Sequence, residues 1–223
     1  MPLDVTYLGH SGFILSDGVY ALAIDPFLTG NPAATLTPAQ IRVKHIALTH
    51  GHEDHFGDTL EIARANGATV YAAWEITNYL VEQGHEKVQP GNPGGTIAAD
   101  FGSVSFVQAL HSSSYKGRYM GNPCGVIVRM GGHCVYHMGD TALFSDMALI
   151  GELYRPDVVL APIGDRFTMG PEHASRAAEM SGAKIAVPIH YNTWPPIAQD
   201  PARFRPHGVE VRVMQAGESW RLA

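Results

Sequence analysis

Short apolar stretches separated by turn residues dominate the hydrophobic pattern of this chain. Stretches of four to eight residues rich in valine, isoleucine and tyrosine predict β-strands; they are VTYL, GVYALAID, HIALT, TVYAA, SVSFVQAL, GVIVRM, CVYHM, DVVLAPI, IAVPI and VEVRVM. Helices are predicted for TLEIARAN, which ends at Gly67, for WEITNYLVEQ, which ends at Gly84, and for MALIGELY and PEHASRAAEMS. Pro171 in the first turn and Gly182 past the end support the last of these helices. This mixture predicts mixed β-sheets covered by helices.

Nothing in the pattern divides the chain into separate units. It contains no repeat of fixed period, no low-complexity tract and no long linker, and PGNPGG at residues 90–95 predicts a turn. A chain of 223 residues can bury a substantial core. We therefore predict a single domain over residues 1–223.

The charge balance excludes some classes of partner. Fifteen basic residues stand against 21 acidic ones, a net charge of −6 with no block of like charge, which disfavours a nucleic-acid partner. No apolar run approaches the ~18 residues of a membrane helix, and the start MPLDVTYLG lacks the pattern of a signal peptide. We expect a cytoplasmic protein without a membrane partner, in which Cys124 and Cys134 are buried thiols.

The candidate chemistry is concentrated in HGHEDH, residues 50–55, directly after the predicted strand HIALT. In an extended segment, residues two apart project to the same side, so His50 and His52 can converge on one ion, and Gly51 lets the backbone bend between them. Asp54 and His55 then leave in a different direction, suited to a second ion. A helix should begin near Asp58, so we place the motif on the connecting loop.

One loop cannot surround two ions, and the chain supplies further ligand types at the ends of later apolar runs. His111 follows SVSFVQAL, Asp140 follows CVYHM, and His190 follows IAVPI. His137 lies on the opposite strand face from Asp140 and is left out of this set. The single histidines His45, His85, His133 and His207 are predicted to be surface residues.

The order of these motifs resembles the metallo-β-lactamase superfamily along nearly the whole chain. More narrowly, LGHSGF, IDPFLTGNP, LTHGHEDHFGD, YHMGDT, FTMGPEHA and VPIHYNT resemble a family of metal-dependent hydrolases close to the ascorbate-6-phosphate lactonases. The resemblance implies an α/β (α+β) fold, an αββα sandwich of two mixed sheets flanked by helices. It also implies two divalent ions, zinc first, with manganese, iron or nickel as alternatives. Flavodiiron relatives carry glutamate where this chain has His52, so a hydrolytic centre is the better interpretation.

The resemblance further implies how the ligands are shared. One ion would be held by His50, His52 and His111, the other by Asp54, His55 and His190, and Asp140 would bridge them. Asp25 in AIDPF would accept a hydrogen bond from a ligand imidazole, or else simply form a turn before Pro26. Candidates for catalytic roles are Asp54, Asp140, His10 and His173.

The expected activity is hydrolysis of an ester, lactone or phosphoester by hydroxide bound to the dinuclear centre. The residual positive charge of such a centre favours a small anionic or carbonyl substrate. Phosphodiesterase or nuclease activity, and a non-catalytic metal-binding protein, remain the alternatives; a homo-oligomer is expected. The loop at residues 111–125, with Lys116 and Arg118, either closes over an anionic substrate or is a mobile solvated loop, and GDRFTMG with Arg166 either receives an anion or merely caps a helix.

Overall fold

Two seven-stranded mixed sheets form the centre of the computed structural model, which describes residues 1–222. Ala223, the last residue of the predicted single domain, lies outside the described residues. The strands of the first sheet are β1 (Leu3–Gly9), β2 (Gly12–Ser16), β3 (Ala21–Ile24), β4 (His45–Ala47), β5 (Thr69–Ala73), β6 (Val88–Gly91) and β16 (Ser219–Leu222). They lie in the order β16-β1-β2-β3-β4-β5-β6, antiparallel from β16 to β3 and parallel from β3 to β6.

The second sheet also consists of an antiparallel part and a parallel part. Its strands are β7 (Thr96–Ala99), β8 (Gly102–Gln108), β11 (Cys124–Met130), β12 (His133–His137), β13 (Val158–Pro162), β14 (Ile185–Ile189) and β15 (Glu210–Val211). They lie in the order β15-β14-β13-β12-β11-β8-β7, with β12 to β15 parallel and the remainder antiparallel. A small hairpin of β9 (Ser114–Tyr115) and β10 (Arg118–Tyr119) stands apart from both sheets.

Helices cover the outer face of each sheet. They are α1 (Glu53–Phe56), α2 (Thr59–Asn66), α3 (Trp74–Glu82), α4 (Met147–Tyr154) and α5 (Pro171–Ser181), with 3₁₀ turns at Pro38–Gln40, Pro195–Ile197 and Pro201–Arg203. No helix within residues 1–222 has the length and apolar character needed to span a membrane.

Three apolar cores follow from this layering. Between the sheets, Phe13 packs in one core with residues of the second sheet such as Phe106 and Leu160. Val159, next to Leu160 on β13, points to the other face and joins the core beneath α4 and α5. The remaining core lies beneath α2 and α3. The four layers confirm the predicted αββα sandwich.

The predicted helices are confirmed, because their stop signals are local. α2 and α5 end at Gly67 and Gly182 in the left-handed conformation, and α4 spans the predicted MALIGELY. The one-turn α1 was missed, so placing all of HGHEDH on a loop was wrong. Strands β2, β6, β7, β9, β10 and β16 were also missed. The turn prediction for residues 90–95 was partly wrong, because Pro90 and Gly91 belong to the edge strand β6.

The parallel parts of both sheets place their carboxyl ends at one edge of the sandwich. Asp25 directly follows β3, and the HGHEDH motif follows β4 in the first sheet. In the second sheet, Asp140 follows β12 and His190 directly follows β14. Polar side chains from four strand ends therefore meet at this edge, the usual position of a site in sheets with parallel strands.

Candidate metal centre

All seven side chains predicted as metal ligands converge at this edge. Together with His10 they fall into three overlapping groups, and the ligand atoms of each group lie within 4.8 Å of one another. The groups are His50, His52 and His111; His50, His55 and Asp140; and His10, Asp54, His55 and His190. Two groups share His50 and two share His55, so the set is continuous.

The backbone of the HGHEDH motif changes direction in the middle. His52 is extended, with φ −63° and ψ 152°, and is the N-cap of α1. His50 and His52 therefore project from the stretch before the helix, whereas Asp54 and His55 project from the helical turn itself. This short helix separates the motif into two pairs that face different groups, as the sequence predicted on other grounds.

In the first group, two imidazole nitrogens face each other directly. His50 Nε2 lies 2.9 Å from His52 Nδ1, and the ring of His111 stands 5.2 Å and 5.0 Å from the rings of His50 and His52, centroid to centroid. The other nitrogen of His50 lies 3.0 Å from Thr49 Oγ1. The Thr49 hydroxyl donates to Asp25, so it accepts from His50 Nδ1 and leaves His50 Nε2 as the nitrogen that can bind an ion.

The Asp140 carboxylate lies between the two sides of the site. Its Oδ1 is 3.2 Å from His55 Nε2, and its Oδ2 is 3.0 Å from His190 Nε2 and 3.5 Å from His111 Nε2. Asp140 is buried. This single carboxylate therefore touches histidines of the first group and of the group that contains Asp54.

Several of these buried atoms lack a hydrogen bond of acceptable geometry within the described residues. They are His55 Nε2, Asp140 Oδ1 and both ring nitrogens of His190. Buried polar atoms without partners are costly and rare in folded proteins. Close approach without hydrogen-bond geometry is expected where atoms are arranged around an ion, and five imidazoles with two carboxylates form a donor set suited to zinc, manganese or iron. The residues present fit divalent metal ions.

Asp25 contacts the site from beneath. Its Oδ2 lies 2.8 Å from His55 Nδ1 and accepts a hydrogen bond of 2.6 Å from the Thr49 hydroxyl, while its Oδ1 accepts one of 2.9 Å from the Thr49 N–H. A carboxylate can only accept here, so His55 donates from Nδ1, and Nε2 is the nitrogen that can bind an ion once its proton is displaced. This is the contact that the sequence assigned to Asp25, with His55 as the imidazole concerned.

His10 contacts Asp54 from the first sheet. His10 Nε2 lies 3.0 Å from Asp54 Oδ2, and its Nδ1 lies 2.7 Å from Thr193 Oγ1. Burial, aided by the nearby His190, lowers the pKa of His10 to about 4, so the ring is neutral near pH 7. Its one N–H then points at Asp54, which has no proton to give, and Nδ1 accepts from the Thr193 hydroxyl.

The charges of the site shift its other pKa values strongly. Burial opposes the protonation of His190, but the negative charge of Asp140 and the close approach of Asp140 and Asp54 to its Nε2 outweigh it and raise the pKa of His190 to about 9. Burial likewise opposes protonation of His55, whose pKa the charges of Asp140 and Asp54 raise well above its usual range. A metal ion must displace these protons, because a ligating imidazole nitrogen cannot carry one.

Other residues singled out in the sequence lie elsewhere. His173 is exposed on the first turn of α5 and is not among the residues that line the cavity at this edge. His85 is buried, with Nε2 2.9 Å from the Ala68 carbonyl oxygen, so its surface assignment was wrong. His137, left out of the predicted ligand set, is in none of the three metal-binding groups, and its Nε2 lies 2.8 Å from the Ser11 carbonyl oxygen.

A cavity of about 360 Å³ opens in front of the metal-binding groups. Its lining consists of His52, Asp54, His111, Ser112, Asp140, Phe167, His190, Trp194, Pro196 and Ile197. Ser112, Phe167 and Trp194 were not among the site residues predicted from the sequence. Their proximity in the chain to His111, Arg166 and His190 was the available signal.

The chain is similar to known proteins over almost all of its length. A family profile described as "Beta-lactamase superfamily domain" matches residues 17–191. A UPF0173 metal-dependent hydrolase of Geobacillus thermodenitrificans is 49% identical over 99% of this chain and 100% of its own length. One of Thermus thermophilus is 48% identical over 99% of both chains. Among solved structures, Igni18, described as a novel metallo hydrolase from Ignicoccus hospitalis, is 38% identical with a TM-score of 0.91 over 100% of this chain and 99% of that one.

Proposed function

The chain belongs to the β-lactamase superfamily, among its UPF0173 metal-dependent hydrolases, and from this premise we propose that it cleaves an ester, lactone or phosphoester at a centre of two divalent ions. Carboxylic esters and lactones are preferred. The observation that carries the proposal is the position of Asp140, whose two oxygens face histidines on both sides of the site.

In this proposal His50, His52 and His111 hold one ion, and Asp54, His55 and His190 hold the other. Asp140, whose two oxygens lie near His55, His111 and His190, would contribute to holding both. When bound, the two ions would lower the pKa of water toward ~7 and polarise the bond that is cleaved. Zinc is the first choice for a set of five imidazoles and two carboxylates, with manganese, iron or nickel as alternatives.

The remaining residues of the site would orient this set. Asp25 keeps the Nε2 lone pair of His55 directed inward, and His10 holds one oxygen of Asp54 by donating from Nε2. His10 also joins the group of Asp54, His55 and His190, but its N–H points toward Asp54. We therefore assign it to positioning Asp54. A direct catalytic part for His173 stays a prediction from the sequence, as do the homo-oligomer and the cytoplasmic location.

The first test combines metal content with turnover on the same sample. Chelated and reconstituted protein should bind close to two ions per chain and should hydrolyse some members of a panel of lactones, carboxylic esters and phosphodiesters. Saturation at one ion would contradict the bridging position of Asp140. Full turnover by the chelated protein would contradict metal dependence.

Asp140→Asn tests the bridge itself. The substitution keeps the size of the side chain but removes its negative charge, so metal should be partly retained while the rate falls by orders of magnitude, each tenfold loss corresponding to ~1.4 kcal/mol of barrier. Asp17→Asn is the matched control, because Asp17 accepts from the N–H groups of Val19 and Tyr20 in a turn outside the site. A fully active Asp140→Asn variant would refute the assignment.

A further inference from the structure

The cavity in front of the metal-binding groups has a lining of two kinds. Apart from Ser112 and the metal-binding side chains, it consists of Phe167, Trp194, Pro196 and Ile197. Phe167 and Trp194 are 58% and 37% exposed, although large aromatic side chains of this type usually bury most of their surface. The part of the cavity beyond the ligands is therefore apolar.

The Trp194 ring is held in place before any substrate arrives. It packs against His10 and Phe27, with ring centroids 5.0 Å and 6.0 Å away. The backbone carbonyl oxygen of Trp194 accepts a 3.0 Å hydrogen bond from the N–H of Ile197. This hydrogen bond closes a 3₁₀ turn that begins with two prolines. A preformed aromatic surface of this kind binds apolar groups without first being ordered.

Positive side chains are absent from this lining within residues 1–222. The nearby Lys116 lies 5.1 Å above the Tyr115 ring, and Arg118 pairs with Glu82 on α3. Arg166 is exposed and stacks on Phe167, with Cζ 5.6 Å from the ring centroid. A phosphate or carboxylate tail on a substrate would thus meet an apolar wall, which would cost hydration without a compensating ion pair.

We propose that this cavity selects uncharged esters or lactones that carry an apolar chain, with Phe167 and Trp194 as the residues that determine specificity. The inference rests on the proposed hydrolysis and names its substrate class. It differs from the anionic substrate expected from the charge of the centre alone. In the reaction, water adds across the acyl C–O bond; the acyl carbon gains the water oxygen, the departing alkoxide oxygen gains a proton, and a lactone yields a hydroxy acid.

The test is a series of γ-lactones with side chains of increasing length, from γ-butyrolactone to γ-decalactone, assayed with the metal-loaded protein. Burial of one methylene group favours binding enough to raise kcat/KM roughly fourfold, until the cavity is filled. Phe167→Ala and Trp194→Ala should each flatten this dependence, read within each variant as the ratio of kcat/KM between the longest and the unsubstituted lactone, so that any change in basal rate cancels. Leu153→Ala is the control, because Leu153 is 64% exposed on α4 and does not line the cavity.

A second comparison sets charge against apolar character at a constant leaving group. 4-Nitrophenyl hexanoate should be turned over with a kcat/KM at least tenfold above that of mono-4-nitrophenyl adipate, an ester with the same leaving group and acyl chain length whose far end carries a carboxylate. Equal or faster turnover of the anionic ester, or a lactone series without chain-length dependence, would overturn the inference while leaving hydrolysis intact.

Binding without turnover separates the two proposals. 5-Alkyl-2-pyrrolidinones resemble the γ-lactones but resist cleavage, and calorimetry should show that their affinity rises with chain length in the parent and not in Trp194→Ala. If these lactams bind as expected and no ester or lactone is cleaved, the proposed function fails and the apolar selectivity stands. If their affinity is independent of chain length, the selectivity fails whatever the enzyme hydrolyses.

Discussion

Asp25 shows how much of the site depends on a single buried carboxylate. Both Asp25 and His55 are fully buried, and the two lie 30 positions apart in the chain. The hydrogen bonds that Asp25 accepts from Thr49 fix the carboxylate, and the carboxylate in turn fixes the tautomer of His55. A ligand histidine whose second nitrogen is held in this way keeps its ring orientation and becomes more basic.

At the residue scale we predict that Asp25→Asn weakens metal binding without removing a ligand. The amide no longer provides a charged acceptor for both Thr49 and His55. Affinity for the ion proposed to be held by His55 should therefore fall about 10- to 100-fold. Competition with a chromophoric chelator measures both affinities. Asp17→Asn should leave them unchanged, and equal weakening of both ions would show that the substitution has loosened the whole edge instead.

The β9–β10 hairpin acts as an element that fixes the HGHEDH motif. Tyr115 packs on Phe56 of α1 at a centroid distance of 4.6 Å, and Arg118 binds Glu82 on α3. At its base, the Ser113 hydroxyl accepts a 3.1 Å hydrogen bond from the Gly51 N–H. The sequence suggested two roles for residues 111–125, a loop that closes over substrate or a mobile solvated loop. Neither role includes the contacts that anchor this hairpin to the motif and to α3.

The close approach of Gly51 to the hairpin gives the prediction at the element scale. A Cβ at Gly51 would collide with Met120, which is fully buried, so Gly51→Ala must displace either the hairpin or the motif. We expect the ion held by His50, His52 and His111 to be lost first, with metal analysis giving near one ion per chain.

Gly182→Ala is the control for the general cost of replacing glycine. Gly182 is left-handed and a Cβ there meets nothing within 4 Å, so the variant should lose about 1 kcal/mol of stability and keep both ions. If Gly51→Ala still binds two ions tightly, the prediction is wrong, because the hairpin then shifts without displacing the metal-binding side chains.

At the scale of the whole molecule, the two sheets are joined by hydrogen bonds at the edge that carries the site. The Cys124 N–H donates to the Thr49 carbonyl at 2.9 Å, and the His190 N–H donates to the His10 carbonyl at 2.8 Å. His137 on β12 reaches Ser11 in the turn between β1 and β2, and its Nδ1 accepts a 3.0 Å hydrogen bond from the Gly139 N–H. The ring must therefore be neutral, with its proton on Nε2.

His137 should make the free energy of unfolding depend on pH. Burial lowers the pKa of His137 below its unfolded value of ~6.5, so its contribution is fully present above that pH. As the pH falls below ~6.5, His137 binds a proton in the unfolded chain but not in the folded one. The free energy of unfolding therefore drops by up to ~1.4 kcal/mol per pH unit.

His137→Gln removes this proton uptake but can still donate to Ser11 and accept from Gly139. Urea unfolding of the metal-free proteins should show the parent losing stability faster than the variant between pH 6.5 and 5. The other buried histidines are common to both proteins and cancel in the difference. Parallel stability curves would show that His137 does not titrate on unfolding.

The sequence alone predicted those features that depend on neighbouring residues in the chain. The ends of α2 and α5 depend on glycines that adopt the left-handed conformation, and such signals lie within a few residues of the element they end. The order of the ligand motifs was likewise legible, because each candidate follows an apolar strand and strand ends carry the reactive groups of this type of fold. The sandwich and the shared set of seven ligands were predicted from the resemblance to the metallo-β-lactamase superfamily that these motifs carry.

Contacts between segments far apart in the chain determine the features that the sequence did not predict. His85 is buried with Nε2 beside the Ala68 carbonyl oxygen, 17 positions away, and Lys116 and Arg118 contact Tyr115 and Glu82 and do not line the cavity. The apolar wall around Trp194 depends in the same way on packing against the first sheet. Burial and side-chain direction arise from the summed contacts of the folded chain, which no single stretch of residues contains, and so the character of the cavity emerged only with the assembled sheets.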